Sequence, residues 1–227
     1  MRIAIAGAHG QIARRLGRLL SARGDTVAGI IRNPAHESDV VGDGVDPVVL
    51  DLETAGLEQV ALAVRDADAV VFAAGAGAGS GVPRKDTVDR GAAVLLADAA
   101  ERSGVGRYLL VSSMGVDAVA DGASPEGVDE VFVAYLRAKL AAEQDLLARD
   151  GLTTTVVRPG ALTDDPGTGR VTLARHVQRG SVPRDDVAAV LVALLDAEPR
   201  GAVLELVGGD TPVDQAVAAA LRPDGRG

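Results

Sequence analysis

The sequence predicts an α/β fold: a single domain built on a doubly wound parallel sheet. Strand-like and helix-like patterns alternate along the chain with short connections, which is typical of a parallel sheet with helices on both faces. The first apolar run, residues 3–6, has no polar alternation, as expected for a strand buried on both faces. A length of 227 residues suits one such domain, and 47% apolar residues suffice for a large core.

The first strand and the first helix are joined by a glycine-containing turn. Gly7 permits a tight turn, Gly10 lets a pyrophosphate approach the backbone, and Ala13 lets the helix pack closely on the strand. Free N–H groups at the helix start favour phosphate, as does the helix dipole. The turn therefore predicts a dinucleotide site; an ordinary turn without a ligand is the alternative. The predicted cofactor contacts in this turn are Gly7, His9, Gly10, Gln11 and Ile12.

The second strand, residues 26–31, ends at Arg32 and Asn33. An NAD-specific site usually carries Asp or Glu about twenty residues beyond the glycines, where the carboxylate accepts from the ribose 2′-hydroxyl. A guanidinium at this position suits a 2′-phosphate instead. Arg32 and Asn33 therefore predict NADP(H) rather than NAD(H), and a solvated loop arginine is the alternative.

The middle of the chain continues the alternation. Apolar patterns predict a third strand over residues 45–50, a helix over 53–65 and a fourth strand over 68–73. Small residues 74–79 follow at the carboxyl end of the fourth strand, where ligands of open parallel sheets bind. They would let the adenosine half of a dinucleotide lie against the backbone, unless they form only a flexible surface loop.

The second half of the chain has longer polar connections. Helices are predicted over residues 83–102, 128–150 and 182–195, and a terminal helix is predicted to start with Thr211 as N-cap and Pro212 in its first position. Strands are predicted over 107–111, 153–157 and 202–207, with a short edge strand over 171–173. Polar segments over 117–127 and 164–169 connect them, and the domain ends at about residue 221, before a frayed tail over 222–227.

Composition excludes several classes of function. The chain has no cysteine, which excludes disulfides, thiolate metal sites and cysteine nucleophiles. A net charge of −9 argues against a nucleic-acid partner, and the three histidines are scattered without metal-ligand spacing. No apolar stretch is long enough to span a membrane, and the N-terminus does not have the pattern of a secretory signal. We expect a cytoplasmic protein, monomeric or homodimeric, that binds small molecules and no metal.

Tyr135 and Lys139 lie at i and i+4 on the predicted helix over 128–150, so their side chains share one face. A tyrosine hydroxyl with its ordinary pKa of about 10 is a poor acid or base at neutral pH. A lysine ammonium one turn away stabilises the phenolate, and it can also donate to ribose hydroxyls. A serine hydroxyl at the end of the fifth strand could then bind the substrate oxygen. The pair predicts proton transfer by Tyr135, unless it is inherited in an inactive chain whose tyrosine packs in the core.

The chain resembles the atypical short-chain dehydrogenases/reductases, in particular the NAD(P)-binding, epimerase/dehydratase-like, NmrA-like and biliverdin reductase B-like group with its Rossmann fold. The resemblance covers nearly the whole chain and rests on Gly7-x-x-Gly10-x-x-Ala13, Arg32-Asn33-Pro34, Asp51-Leu52, Ala73-Ala74-Gly75, Val111-Ser112-Ser113, Tyr135-x-x-x-Lys139 and Arg158-Pro159-Gly160. It implies that Asp51 and Leu52 border the adenine and that residues 159–161 run beside the nicotinamide. The further cofactor contacts implied are Asp51, Leu52, Ala73, Ala74, Gly75, Lys139, Pro159, Gly160 and Ala161.

Two residues depart from the family pattern. Asp89 stands where active relatives carry an asparagine, and an ionised carboxylate cannot donate a hydrogen bond as an amide does. The proton relay that asparagine supports is therefore in doubt. Met114 stands where extended relatives often carry the catalytic serine or threonine, so Ser113 is the nearest substitute and Ser112 the fallback. Both serines could instead only cap the strand end.

These features favour an NADP(H)-dependent oxidoreductase with Tyr135, Lys139, a serine and Asp89 as candidate catalytic residues. The C-terminal part, about residues 160–221, is too small for the nucleotide-sugar lobe of extended relatives. This favours a small carbonyl, quinone or flavin-like acceptor, in a pocket walled by residues 114–127 and 161–184. A non-catalytic NADP(H) sensor, as among NmrA-like relatives, is the alternative, and an epimerase/dehydratase is a weaker one.

Overall fold

The computed structural model describes residues 1–77 and 79–222, and a nine-stranded sheet lies at its centre. Ala78, in the predicted run of small residues, and residues 223–227, most of the predicted tail, lie outside the described residues. The strands of the sheet are β1 (Arg2–Ala6), β2 (Thr26–Ile31), β3 (Asp46–Val49), β4 (Ala69–Phe72), β5 (Arg107–Val111), β6 (Thr153–Pro159), β8 (Arg170–Ala174), β10 (Ala202–Gly208) and β11 (Thr211–Pro212). A separate parallel pair consists of β7 (Ala161–Thr163) and β9 (Ser181–Pro183).

The order of the strands reverses between β1 and β4. Across the sheet the order is β11-β8-β10-β6-β5-β4-β1-β2-β3, so the chain first builds outward from β1 to β3 and then returns to continue from β4 on the other side. A crevice opens outside the carboxyl ends of the strands at such a reversal, and ligands of doubly wound sheets bind there. The doubly wound α/β prediction is confirmed.

Helices cover both faces of the sheet. They are α1 (Gln11–Ala22), α2 (Glu37–Gly42), α3 (Leu57–Val64), α4 (Val82–Arg84), a π-helical segment (Lys85–Ala92) that continues into α5 (Ala93–Arg102), α6 (Glu130–Leu147), α7 (Arg184–Asp196) and α8 (Val213–Ala220). Ile3 and Ile5 of β1 belong to one apolar core with residues of α1, α7 and α8, whereas Ala4 and Ala6 belong to a second with residues of α3, α5 and α6. Because successive strand residues point to opposite faces, an apolar run without alternation is what a doubly covered strand requires.

The sheet is antiparallel at one edge, where the sequence predicted a short edge strand over 171–173. β8 runs antiparallel to both β10 and β11 and lies between them, so it is not the edge strand that was expected. The chain between β6 and β8 contains no helix, and a parallel return would need a crossover of a dozen or more residues. Thr211 and Pro212 form β11, and Pro212 precedes the first helical residue, Val213, instead of occupying the first position.

Several predicted boundaries also change. The helix predicted over 53–65 starts at Leu57, because the Asp51 carboxylate accepts from the Glu53 N–H and holds the preceding residues in a turn. The polar segment 117–127 contains 3₁₀ turns over Val116–Gly122. Val182, predicted to be helical, belongs to the short strand β9.

Candidate functional site

The turn between β1 and α1 lies against the end of β4. Gly7 has a φ of +79°, and a Cβ atom on it would lie 2.6 Å from the Ala74 Cα atom, so a side chain does not fit there. No side chain within the described part of the chain caps α1. The N–H groups of the first helical turn, including those of Gln11 and Ile12, therefore face the crevice as potential donors to an anion.

A cavity of about 240 Å³ opens beside this turn. It collects residues from four separate strand ends, and its lining includes Gly7, His9, Gly10, Arg32, Asp51, Leu52, Ala74 and Gly75. Ala73 is not among the lining residues, although its carbonyl oxygen would be 3.5 Å from a Cβ atom on Gly10. Most of the residues predicted to contact the adenosine half are thus brought together at one place.

Arg32 projects into solvent at the mouth of this first cavity. Its side chain is 55% exposed, and its Nη1 lies 3.5 Å from Glu53 Oε2. The same Glu53 carboxylate accepts hydrogen bonds from Arg84 and Thr87. The contact between Arg32 and Glu53 is long and solvent-screened, so the guanidinium can rotate towards an anion at little cost.

Two of the predicted cofactor residues use their side chains locally. The Asn33 Oδ1 accepts from the Ala35 N–H at 3.0 Å and caps the short 3₁₀ helix Pro34–His36. Asp51 Oδ1 accepts from the Glu53 N–H, also at 3.0 Å. Asn33 and Asp51 therefore shape the loops that line the cavity.

His9 is stacked on His36, with ring centroids 3.6 Å apart, and its Nε2 lies 2.9 Å from Asp39 Oδ2. The hydrogen bond to His9 is the main cause that lowers the pKa of Asp39. The side chains of the next two predicted residues point elsewhere: Gln11 Oε1 accepts from Arg15, and Ile12 is buried in the core. Gln11 and Ile12 can therefore serve a cofactor through their main-chain N–H groups.

A second, larger cavity of about 960 Å³ adjoins the first. Both cavities are lined by Gly75, so one extended ligand can reach from the adenosine side into the second cavity. Tyr135, Ser113, Met114 and Asp89 line it together with Pro159, Gly160 and Ala161. Tyr108, by contrast, is a core residue whose burial raises its pKa and whose hydroxyl donates to the Ala93 carbonyl oxygen.

Lys139 and Asp89 form a buried ion pair behind Tyr135. Lys139 Nζ lies 3.3 Å from Asp89 Oδ1, donates to the carbonyl oxygens of Val111 at 3.1 Å and Ala74 at 3.4 Å, and is 5.9 Å from the centre of the Tyr135 ring. Asp89 is fully buried, and its Oδ2 accepts from the Ala76 N–H at 3.2 Å. The carboxylate that replaces asparagine is thus the counterion of Lys139.

The two serines have different surroundings. The Ser112 hydroxyl donates to the buried Glu143 carboxylate, below the floor of the cavity. Ser113 lines the cavity, and its Oγ donates to the Met114 carbonyl oxygen at 3.1 Å. Of the two serines, Ser113 is the one whose hydroxyl a substrate in this cavity could reach.

A buried polar network under the site was missed by the sequence analysis. Arg158 makes paired hydrogen bonds to Glu143, the shortest at 2.6 Å, and a further one to Asp117 at 2.7 Å. Burial lowers the pKa of Arg158, but the bonds and charges of Glu143 and Asp117 outweigh it and leave that pKa raised. Arg158 appeared only as a motif residue, and its spacing did not reveal Glu143 as the partner. The network fixes the ends of β5 and β6, which carry Ser113 and Pro159.

The described part of the chain contains no group of three or more acidic or histidine side chains suited to hold a metal ion. No helix within that part is long and apolar enough to cross a membrane.

Known proteins resemble this chain over nearly its whole length. A family model described as NAD(P)H-binding matches residues 7–198. The uncharacterized sugar epimerase YhfK of Bacillus subtilis (strain 168) is 32% identical over 219 residues, which cover 96% of this chain and 99% of that protein. A Bacillus halodurans structure, provisionally named an NAD-dependent epimerase/dehydratase, has a TM-score of 0.86 at 33% identity, over 96% of this chain and 99% of that one. The anaerobillin reductase ChuY from Escherichia coli O157:H7 has a TM-score of 0.78 at 26% identity, over 92% of this chain and 98% of that one.

Proposed function

We propose that this chain, which belongs to the NAD(P)H-binding family, is an NADP(H)-dependent oxidoreductase of the atypical short-chain dehydrogenase/reductase type. Its substrate would be a small carbonyl, quinone or flavin-like acceptor. The observation that carries the proposal is the placement of Tyr135, Ser113 and residues 159–161 around a cavity that adjoins the adenosine-side cavity at Gly75.

The residues present fit a dinucleotide. The uncapped start of α1 would hold the pyrophosphate. Gly7 lies so close to Ala74 that no side chain fits there, so main-chain atoms would face the pyrophosphate at this point. Asp51 and Leu52 would border the adenine. Residues 159–161 would lie beside the nicotinamide, in a cavity that Tyr135 also lines.

Arg32 supports a preference for NADP(H). Its guanidinium lies at the mouth of the first cavity and has one weak ion pair to give up. A 2′-phosphate offers a guanidinium a doubly charged partner with paired acceptor oxygens, whereas a 2′-hydroxyl does not.

The residues of the second cavity would divide the proton chemistry among them. When bound, the reduced cofactor supplies a hydride to the acceptor. Tyr135 donates the matching proton to the acceptor oxygen, and the Lys139 ammonium stabilises the phenolate that remains. Ser113 Oγ orients the acceptor oxygen, and Asp89 holds Lys139 in place as its counterion. Hydride and proton together complete a two-electron reduction.

A non-catalytic NADP(H) sensor is the second candidate. The surroundings of Lys139 favour it, because Asp89, Val111 and Ala74 already engage the ammonium and leave few donors for ribose hydroxyls. An epimerase/dehydratase is a third candidate, which the names of the two Bacillus relatives support. Such an enzyme would retain its cofactor and show no net redox change.

The test is NADPH consumption by the purified protein with a panel of quinones, flavins and small aldehydes, with NADH run in parallel. The proposal expects turnover that is faster with NADPH. Protein that binds NADPH and turns over no member of the panel would favour the sensor. Retained cofactor with substrate isomerisation would favour the epimerase.

A further inference from the structure

Lys85 is a buried cation that the proposed reaction does not use. It lies in the π-helical segment, is 8% exposed, and donates from Nζ to the Gly77 carbonyl oxygen at 2.9 Å. The same Nζ is 5.6 Å from the centre of the Tyr135 ring, and Lys139 Nζ is 5.9 Å from it. Both lysines of the chain therefore lie beside the proposed proton donor.

The Lys85 ammonium has unused donor capacity. It offers three N–H donors, and the Gly77 carbonyl is its one hydrogen-bond acceptor within residues 1–77 and 79–222. No carboxylate of those residues forms an ion pair with it. Burial of a charge without a counterion is costly. An anion in the second cavity, which Lys85 lines, would supply the missing partner.

Arg179 is a second cation on the wall of the same cavity. Its Nη2 would be 3.1 Å from a Cβ atom on Gly115, so the guanidinium lies over the loop that follows Ser113 and Met114. Arg179 has no ion pair or hydrogen bond to any residue that the structure describes. Its guanidinium is therefore available to a ligand.

The remaining charged groups on this cavity already have partners. Asp129 Oδ1 accepts from the Phe132 N–H and caps α6, Asp89 is paired with Lys139, and Arg184 is paired with Asp164 at 2.9 Å. Asp129 keeps its negative charge, because an N–H donor does not neutralise a carboxylate. The two positive charges without a counterion among the described residues, Lys85 and Arg179, still exceed it by one. The cavity is thus locally positive in a chain whose net charge is −9.

Apolar side chains form another part of the cavity wall. Phe132 is 47% exposed and stacks on Tyr135 with ring centroids 5.6 Å apart, and Leu162 and Met114 also line the cavity. An exposed aromatic face next to the proposed proton donor suits a flat apolar molecule.

We propose that the acceptor is a flat apolar molecule that carries a carboxylate, and that Lys85 and Arg179 bind this carboxylate. This inference rests on the proposed function, because it names the substrate class of the same site. The pyrophosphate of the cofactor is the other anion nearby. Its predicted place is the turn of Gly7 and Gly10, which lines the first cavity and not the second.

The test compares anthraquinone-2-carboxylate with anthraquinone-2-carboxamide, which differ in charge and hardly in shape. Affinities are measured calorimetrically on the full chain saturated with NADP⁺, so the result does not require turnover. We expect the wild type to bind the carboxylate at least about tenfold more tightly than the amide, as a charge-assisted contact provides. Lys85→Met and Arg179→Gln should each lower the ratio of carboxylate to amide affinity about tenfold. If the wild-type ratio is about tenfold, each variant should bind the two probes almost equally. Arg65→Gln removes an exposed charge away from the cavity and should leave the ratio unchanged.

Equal wild-type affinities for the two probes, or a ratio that neither substitution alters, would overturn the inference. So would a loss of NADP⁺ affinity in Lys85→Met and Arg179→Gln that accounts for the change, because the cations would then serve the cofactor. Arg179 is exposed, so we expect Arg179→Gln to fold. This variant therefore tests the inference even if Lys85→Met does not fold. A carboxylate preference that depends on both cations, in protein that oxidises no NADPH, would support the inference while the proposed function fails.

Discussion

At the scale of single residues, Gly7 has the least freedom to change. It combines a positive φ with a backbone neighbour at 2.6 Å from any added Cβ atom. Gly24 has a similar φ of +89°, but no atom of the described residues lies within 4 Å of an added Cβ there. Substitutions at the two glycines therefore distinguish the cost of backbone strain, which both would have, from the cost of obstructing the close approach of β1 and β4, which only Gly7 would have.

We predict that Gly7→Ala lowers the free energy of unfolding by about 2–4 kcal/mol and abolishes NADPH binding. The added methyl group would push the end of β4 away from the turn. The matched control, Gly24→Ala, should cost about 1 kcal/mol and leave NADPH affinity unchanged. Urea unfolding and calorimetric titration measure both quantities. Equal losses in the two variants would show that the approach of Ala74 is unimportant.

Arg32 gives the second prediction at this scale. Arg32→Gln should weaken NADPH binding about tenfold, because a charge-assisted contact to the 2′-phosphate is lost, and change NADH binding less than about twofold. Arg65→Gln is the charge-matched control. Parallel titrations with the two cofactors provide the measurement, and equal losses for NADPH and NADH would contradict a role in cofactor choice.

Individual side chains were predictable where a short motif carries them. Tyr135 and Lys139 share a helix, so their spacing alone places them on one face. The hydrogen bond from Ser112 to Glu143 joins residues 31 positions apart on different elements, and the sequence contains no local signal for it. The burial of Lys85 was missed for the same reason, since it depends on how the π-helical segment packs against α6.

At the scale of elements, strong apolar patterns predicted the strands of the parallel part well. β2 and β5 have the predicted bounds, because each is an apolar or β-branched run with abrupt polar ends. The three-residue strands β7 and β9 were missed, since strands this short show no periodicity. Pro212 satisfied the rule for a helix start, but pairing of Thr211 with Val171 of β8 extended the strand instead.

The contact between α1 and the end of α2 gives an element-scale prediction on pH. Asp43 accepts from Arg14 Nε at 2.5 Å and from Arg18 Nη1 at 2.8 Å. Burial raises the pKa of Asp43, but these bonds and the positive charges outweigh it, so the folded pKa is lowered. A lowered pKa means stability that is fully present above the unfolded value of about 3.9 and lost as the pH falls through the folded pKa.

We therefore predict that Asp43→Asn costs about 1 kcal/mol at pH 7, a modest value because both arginines are partly exposed. The difference from the wild type should shrink as the pH is lowered below about 4. Asp150→Asn, at an exposed position, is the control. Chemical unfolding at a series of pH values gives both curves, and a constant difference down to pH 3 would refute the assignment.

At the scale of the whole molecule, the reversal of strand order between β1 and β4 places both cavities at one edge of the sheet. This architecture was predictable, because alternating strand and helix patterns leave few topologies. The antiparallel edge was not predicted, because the sequence analysis gave residues 171–173 no direction and did not use the lack of a helix between β6 and β8. The carboxyl ends of the strands, where the candidate site lies, were predictable from the sequence. The buried network of Arg158 and Glu143 that supports these ends was not.

Cofactor binding should stabilise the whole fold. NADPH at a hundred times its dissociation constant adds about 2.7 kcal/mol to the free energy of unfolding, since the unfolded chain has no site. For a chain of this size we expect Tm to rise by roughly 5–10 °C. NADH at the same concentration should raise it less if Arg32 selects the 2′-phosphate. Thermal unfolding with each cofactor measures the shifts, and no shift with either would contradict a dinucleotide site.

The central claim, that Tyr135 is the proton donor of an NADPH-dependent reduction, is tested most directly by Tyr135→Phe. With an acceptor found in the panel, kcat/KM should fall about 10²–10⁴-fold, while the Kd for NADPH changes less than about twofold. Tyr108→Phe is the control, because it removes the hydroxyl of the core tyrosine. The folded protein of this variant should reduce the acceptor at the wild-type rate. Unchanged turnover in Tyr135→Phe, with NADPH bound as tightly as before, would remove Tyr135 from the mechanism and with it the reaction proposed for this site.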